Sequence, residues 1–222
     1  GLPGMGIEEF LIYLQETNLW EYKRPLGISI GGNSESEYTT NLLKLEPFLK
    51  KCNNQYFYEL NISCPNTKNG RTICHDPSLL EILLINMRKN TDSPLSVKIS
   101  PDISNSKIKE IADLCTSFEK IIINAGNTQY KTPSQVGVER YNFSMNGGGL
   151  SGPPLFKRTV EMVKLLNEFD NPIMATGGIS NIQHLSVLKD NGASLFGMAS
   201  SLVLNPYCIP KIHSEINKLW LQ

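Results

Sequence analysis

The sequence predicts an α/β chain of parallel βαβ units, and two observations predict it. Short apolar runs alternate with longer amphipathic stretches along the whole length, and each run breaks off into asparagine, glycine or serine before the next helical stretch begins. Strand followed by helix, repeated, gives a parallel sheet whose right-handed crossovers cover it. The composition agrees. The 222 residues carry 21 basic and 21 acidic side chains, 40% hydrophobic residues and 17 glycines, as expected of a globular domain. Balanced charge gives no pull toward nucleic acid or an anionic membrane surface. No apolar run approaches the length of a membrane span and no signal-peptide pattern opens the sequence, so the cytosol is the expected location.

Each element has its own warrant. Ile7–Glu16 is an amphipathic helix, and Leu26–Ile30 is the first apolar run short enough to be a strand. Helix Glu37–Lys51 and strand Phe57–Ile62 repeat the pair. Asp76-Pro77 opens helix Pro77–Asn90 with a capping carboxylate and a first-turn proline. Strand Leu95–Ile99 leads to helix Ser106–Glu119, capped by Asn105 or Ser106, and strand Lys120–Asn124 follows. The segment Gln129–Asn146 is long and polar with no clear element, as lids or mobile inserts are. Helix Pro154–Glu168, strand Ile173–Thr176, helix Ile182–Asn191 behind Asn181, strand Ser194–Met198 and helix Pro206–Leu221 complete the alternation. Without internal repeat, linker or low-complexity tract, residues 1–222 read as one domain.

The five cysteines (52, 64, 74, 115 and 208) form no Cys-x-x-Cys pair, and histidines 75, 184 and 213 lack ligand spacing, so no metal site is expected. An odd number of scattered cysteines suits a reducing compartment.

Chemistry-bearing residues gather at the ends of the apolar runs. Asn61-Ile-Ser-Cys-Pro-Asn66 places the Cys64 thiol between two carboxamides as Tyr56–Leu60 gives out. Asn61 and Asn66 could hold a planar polar ligand through paired donors and acceptors, and Cys64 could act as base or nucleophile. Lys98 ends the next strand, Asn124 the one after, and Ser29 lies near the end of the first. Cys74, in the polar loop 68–75, reads as a solvent-exposed thiol and as the local rival of Cys64. Gly147–Gly152 satisfies G-x-G-x-x-G, yet no strand precedes it and Pro153-Pro154 follows where a dinucleotide fingerprint needs a continuous helix. It reads instead as a backbone-exposed loop at a helix start, with Gly148 and Gly149 offering peptide N–H groups to a phosphate. Gly177 and Gly178 supply the second half of such a site, and Ala199 and Ser200 complete it.

Taken in order, Asn-Ile-Ser-Cys-Pro-Asn, Val-Lys-Ile-Ser-Pro-Asp, Gly-Gly-Leu-Ser-Gly-Pro and Thr-Gly-Gly-Ile, with the opening Gly1-Leu-Pro-Gly4, resemble dihydroorotate dehydrogenases from Gly1 to about Pro210. The resemblance implies a (β/α)8 TIM barrel of which about six of the eight βα units are present, since such a barrel takes about 250 residues. The family's first strands and an active-site asparagine loop would then be absent. The resemblance further implies FMN as cofactor and dihydroorotate and orotate as substrate and product. Cys64 would be the base of the soluble, cysteine-using class 1 branch, and Asn61, Asn66 and Asn124 would hold the substrate. Ser29 and Lys98 would lie at the flavin, and Gly148, Gly149, Gly177, Gly178, Ala199 and Ser200 at its phosphate. It also implies a homodimer, with an electron-transfer subunit in one branch; fumarate, quinone and an NAD-linked partner all remain open as acceptors. Two alternatives stand beside it: a dihydropyrimidine dehydrogenase-like flavoenzyme domain, and a non-catalytic truncated paralogue.

Overall fold

A computed structural model describes residues 4–62, 73–139 and 144–219, with the side chains of 217–219 left aside. Its helices are α1 (Gly6–Glu16), α2 (Glu35–Leu49), α3 (Pro77–Asn90), α4 (Asn105–Thr116), α5 (Phe156–Leu166), α6 (Ile182–Asp190), α7 (Ser200–Leu204) and α8 (Cys208–Leu219). Its strands are β1 (Leu26–Ile30), β2 (Tyr56–Leu60), β3 (Leu95–Ile99), β4 (Ile121–Ala125), β5 (Gln129–Lys131), β6 (Gly148–Leu150), β7 (Ile173–Thr176) and β8 (Leu195–Gly197). Six strands form one sheet in the order β1-β2-β3-β4-β7-β8, and β5 and β6 form a separate antiparallel pair. The registers of β1–β2, β2–β3, β4–β7 and β7–β8 are all parallel, as the strand–helix alternation requires.

The chain divides into two compact units, one of residues 1–98 and 117–122, the other of 99–116 and 123–222. In the first, Ile28, Ile30, Tyr58, Leu60, Leu95 and Val97 are buried together with Leu42, Leu45 and Leu49 of α2 and Leu80, Leu83, Leu84 and Met87 of α3. These strand residues alternate with Ser29, Glu59 and Lys98, which therefore lie on the opposite side of the sheet. In the second unit, Ile123, Ala125, Ile173 and Ala175 are buried, as are Ile108, Ile111, Met162, Val163 and Leu166 of α4 and α5.

Side-chain caps set the helix starts. Ser34 accepts the Glu37 N–H, Asp76 those of Ser78 and Leu79, and Asn181 that of His184. A polar cluster is built into the helix-facing core of the first unit. The Tyr58 hydroxyl donates to Glu46 Oε2 at 2.6 Å and the Thr91 hydroxyl to Oε1 at 2.7 Å, while Lys50 Nζ lies 3.5 Å from the same carboxylate. Burial, reinforced by the bond to Glu46, holds the Tyr58 hydroxyl far above the ordinary tyrosine range.

Three expectations need correction. The segment Gln129–Asn146 does contain a strand: β5 pairs with Gly148–Leu150, a pairing between residues distant in sequence that local pattern does not reveal. A short helix, α7, follows β8 where no element was expected; it is separated at Asn205–Tyr207 from α8, which falls within the predicted Pro206–Leu221, and the Asn205 side chain accepts the Tyr207 N–H between them. Cys74 is buried, 1% exposed, beside buried Ile73 in a helical turn leading to Asp76.

Candidate active site

Each unit carries chemistry at the C-terminal ends of its strands, the face on which parallel barrels place their sites. In the first unit β2 delivers Asn61 just past its last residue. The Asn61 N–H donates to the Ile30 carbonyl at 3.0 Å, and the Asn61 carbonyl accepts the Tyr38 hydroxyl at 2.9 Å. The backbone is thus held on both sides. Its side-chain Oδ1 is buried and, among the described residues, has no hydrogen-bond partner. A buried amide oxygen without a partner costs stability, and a bound ring N–H would relieve that cost. Cys64 and Asn66 lie outside the described residues.

Lys98 sits at the end of β3 on the polar side of the sheet. Its ammonium lies 3.2 Å from Glu59 Oε1, with the two side chains 22% and 16% exposed. The Ser29 hydroxyl donates to the same Glu59 oxygen at 3.4 Å. Sequence reasoning singled out Ser29 and Lys98 but missed Glu59, which connects them. The available signal was a carboxylate inside the apolar run Tyr56-Phe-Tyr-Glu-Leu60, where an acid needs a partner to be buried.

The second unit holds Asn124 and the glycine-bearing turns. Asn124 is buried, 2% exposed, near the end of β4, paired in register with Met174. Two residues on, a Cβ added at Gly126 would fall 1.6 Å from the Thr176 carbonyl oxygen, so the ends of β4 and β7 meet where only glycine fits. After β7, three successive carbonyls are gripped by side chains. The Thr159 hydroxyl donates to Gly177 O at 3.1 Å, His184 Nδ1 lies 3.2 Å from Gly178 O, and the Ser201 hydroxyl donates to Ile179 O. A trans peptide points its N–H opposite to its C=O. Anchoring these carbonyls therefore turns the N–H groups of Gly178, Ile179 and Ser180 the other way, the kind of array that receives an anion. His184 also stacks on Phe156, with ring centroids 3.9 Å apart.

Gly178 answers to packing. At φ +72° its absent Cβ would lie 2.6 Å from the Phe156 nitrogen, so any side chain there would displace the start of α5. Gly178→Val would therefore disturb the packing of α5 as well as the turn itself. Gly148 and Gly149 belong to β6 and not to a turn at a helix start. An added Cβ at Gly148 meets nothing within 4 Å, so its backbone is open, whereas at Gly149 it would strike the Thr128 side chain. A Cβ at Gly152 would fall 3.7 Å from Ser200, which brings the end of the glycine segment beside the turn after β8. Ala199 is exposed, and its carbonyl accepts the N–H groups of Leu202 and Val203. Buried Cys115, whose thiol burial pushes up to about 12, is not a nucleophile. Among the described residues no cluster of His, Cys, Asp or Glu could hold a metal ion.

These residues fit FMN. The anchored turn after β7 suits the phosphate, and the orphaned Asn61 oxygen suits a planar polar ligand.

Comparison with known proteins approaches the chain from another direction. The dihydroorotate dehydrogenase family profile matches residues 1–220. A dihydroorotate dehydrogenase (quinone) of Acinetobacter baylyi is 32% identical over 216 residues, 91% of this chain and 63% of that protein. One from Nitrosomonas eutropha is 28% identical over 237 residues, 99% of this chain and 65% of its own. The chain thus spans just under two thirds of these relatives. Both bear the quinone name, whereas the cysteine motif pointed to the soluble class 1 branch. The structure of a DHODH from Eimeria tenella in complex with ferulenol superimposes with a TM-score of 0.76 at 21% identity, covering 96% of this chain and 62% of that one. That likeness shows the fold: a parallel (β/α) barrel architecture, present here in part. The chain belongs to the dihydroorotate dehydrogenase family.

Proposed function

We propose that this chain is the greater part of an FMN-dependent enzyme that oxidises dihydroorotate to orotate in pyrimidine synthesis. The observation that carries the reading is Asn61: a backbone fixed by Tyr38 and Ile30, and a buried side-chain oxygen with no partner among the described residues, three residues before Cys64. Asn61, Asn66 and Asn124 hold the substrate's ring amides and carboxylate. Cys64 removes the proton from carbon 5. FMN, when bound, supplies the acceptor for the hydride leaving carbon 6. Lys98 offers a cation toward the flavin, kept in place by Glu59 and, through it, Ser29. The N–H groups of the turn after β7, with Gly148, Gly149 and the Ala199-Ser200 turn, hold the phosphate.

The whole chain is read as one domain, because β4 runs through both units: Ile121 and Ile122 belong to one, Ile123 to Ala125 to the other. Cysteines 52, 74, 115 and 208 are free thiols, which supports the cytosolic placement. Among the described residues no helix is long and apolar enough to cross a membrane. A quinone acceptor is supported by the relatives' names, and a soluble acceptor by the cysteine in the Asn61–Asn66 motif.

The test is the full-length polypeptide, purified and assayed anaerobically. It should carry about one flavin per chain and be bleached by dihydroorotate but not by dihydrouracil. Reoxidation by a quinone analogue, fumarate or NAD then assigns the branch. Colourless protein that cannot be reconstituted with FMN overturns the reading, and bleaching by dihydrouracil alone transfers it to the dihydropyrimidine dehydrogenase-like class.

A further inference from the structure

Among the described residues of the six main strands, Glu59 and Lys98 are the only charged side chains. They stand on neighbouring strands, on the same side of the sheet, with Lys98 Nζ 3.2 Å from Glu59 Oε1. A largely buried ion pair is often no better for stability than apolar residues of similar size, so this one calls for another account. Glu59 is in register with Ser29 of β1 on one side and with Ser96 of β3 on the other. The Ser29 hydroxyl donates to the same oxygen that faces Lys98. The fully buried Ser96 hydroxyl has no partner among the described residues, so it takes no share of the carboxylate's charge. The acid is thus placed where its charge acts directly on the lysine.

We propose that Glu59 sets the reduction potential of the flavin by offsetting the charge of Lys98. The inference rests on the flavin reading above, in which Lys98 offers its cation to that cofactor. A lone ammonium beside a flavin favours the electron-rich reduced form over the oxidised one. A carboxylate 3.2 Å from that ammonium cancels part of its field, and charges as little exposed as these are weakly screened. The acid therefore keeps the reduced form from becoming too stable, which favours passage of its electrons to an acceptor. Glu59 acts through Lys98 and needs no contact with substrate.

The experiment uses the full-length protein with FMN bound, titrated potentiometrically in the parent, Glu59→Gln and Glu59→Asp. Glutamine keeps the shape and an acceptor for the Lys98 and Ser29 donors but loses the charge; aspartate keeps the charge. The glutamine variant should favour reduced over oxidised flavin about tenfold more than the parent does, which raises the two-electron potential by about 30 mV. The aspartate variant should stay within about twofold of the parent on that scale. If Glu59→Gln does not fold, the double variant Glu59→Gln with Lys98→Met, which leaves neither charge unpaired, is compared with the parent. A preference within about twofold of the parent then supports the offset, and one about tenfold lower overturns it. A potential unchanged or lowered in Glu59→Gln, in a protein that binds FMN, overturns this inference alone. A folded parent that takes up no FMN overturns the flavin reading and this inference together.

Discussion

The buried cluster around Glu46 and the strand end at Asn61 belong to the same unit, yet they treat polar atoms in opposite ways. Both carboxylate oxygens of Glu46 receive a hydroxyl, from Tyr58 and Thr91. Asn61 has its backbone held by Tyr38 and Ile30 while its side-chain oxygen has no partner among the described residues. The first arrangement is what stability selects, because a buried polar group costs least when paired. The second costs stability unless something else arrives. On the proposed function, the Glu46 cluster supports the fold and the Asn61 oxygen is kept for a ligand.

The contrast can be broken most severely at Cys64. Replacement by serine in the complete enzyme should slow flavin reduction by dihydroorotate by about a hundredfold, within the range for a lost general base, and shift activity to higher pH, while flavin binding persists. Stopped-flow bleaching without an acceptor measures it, and reduction at the parental rate across pH removes Cys64 from the mechanism. The buried Cys74 thiol, replaced by serine, should leave that rate unchanged.

Next comes the direct comparison. Tyr58→Phe strips Glu46 of one donor and should cost about 1–3 kcal/mol of unfolding free energy with kinetics intact. Asn61→Ala should do the reverse: stability within about 1 kcal/mol of the parent, but dihydroorotate bound about tenfold or more weakly, a loss of about 1.4 kcal/mol. Chemical denaturation and substrate titration of both variants suffice. If Asn61→Ala destabilises as much as Tyr58→Phe, the distinction between satisfied and reserved groups fails.

The smallest effect is a pH dependence. The Tyr58 hydroxyl is raised in the folded state, so the unfolded chain loses this proton first. Stability from this group is therefore complete below the unfolded tyrosine value, about pH 10, and falls as the pH rises above it. Tyr58→Phe should flatten that alkaline loss in denaturation curves recorded from neutral pH upward. An identical slope in parent and variant would show that other groups carry it.

Much of the fold was legible because the apolar runs are short and regularly spaced. β1, β3, β7 and α3 fall at the residues their pattern predicts, and the Asp76 and Asn181 caps are made as read. The β5–β6 pair escaped because Gly148 and Gly149 carry no strand propensity and the partner lies across a polar insert. Glu59 escaped because its meaning depends on Lys98, 39 residues away in sequence. Gly178 carries a constraint that its local sequence does not show: its neighbour is Phe156, a long-range contact invisible to a reading of local turns.

The meeting of Gly126 with the Thr176 carbonyl has a practical corollary for recombination between relatives. The polar insert that follows is bounded by this junction on one side and by β6 on the other, and its two short strands pair with each other apart from the main sheet. Chimeras that exchange the insert between family members should therefore tolerate crossover points placed after Gly126 and beyond Leu150. A crossover within Asn124–Gly126 would import a foreign backbone path into a contact with no room for a methyl group.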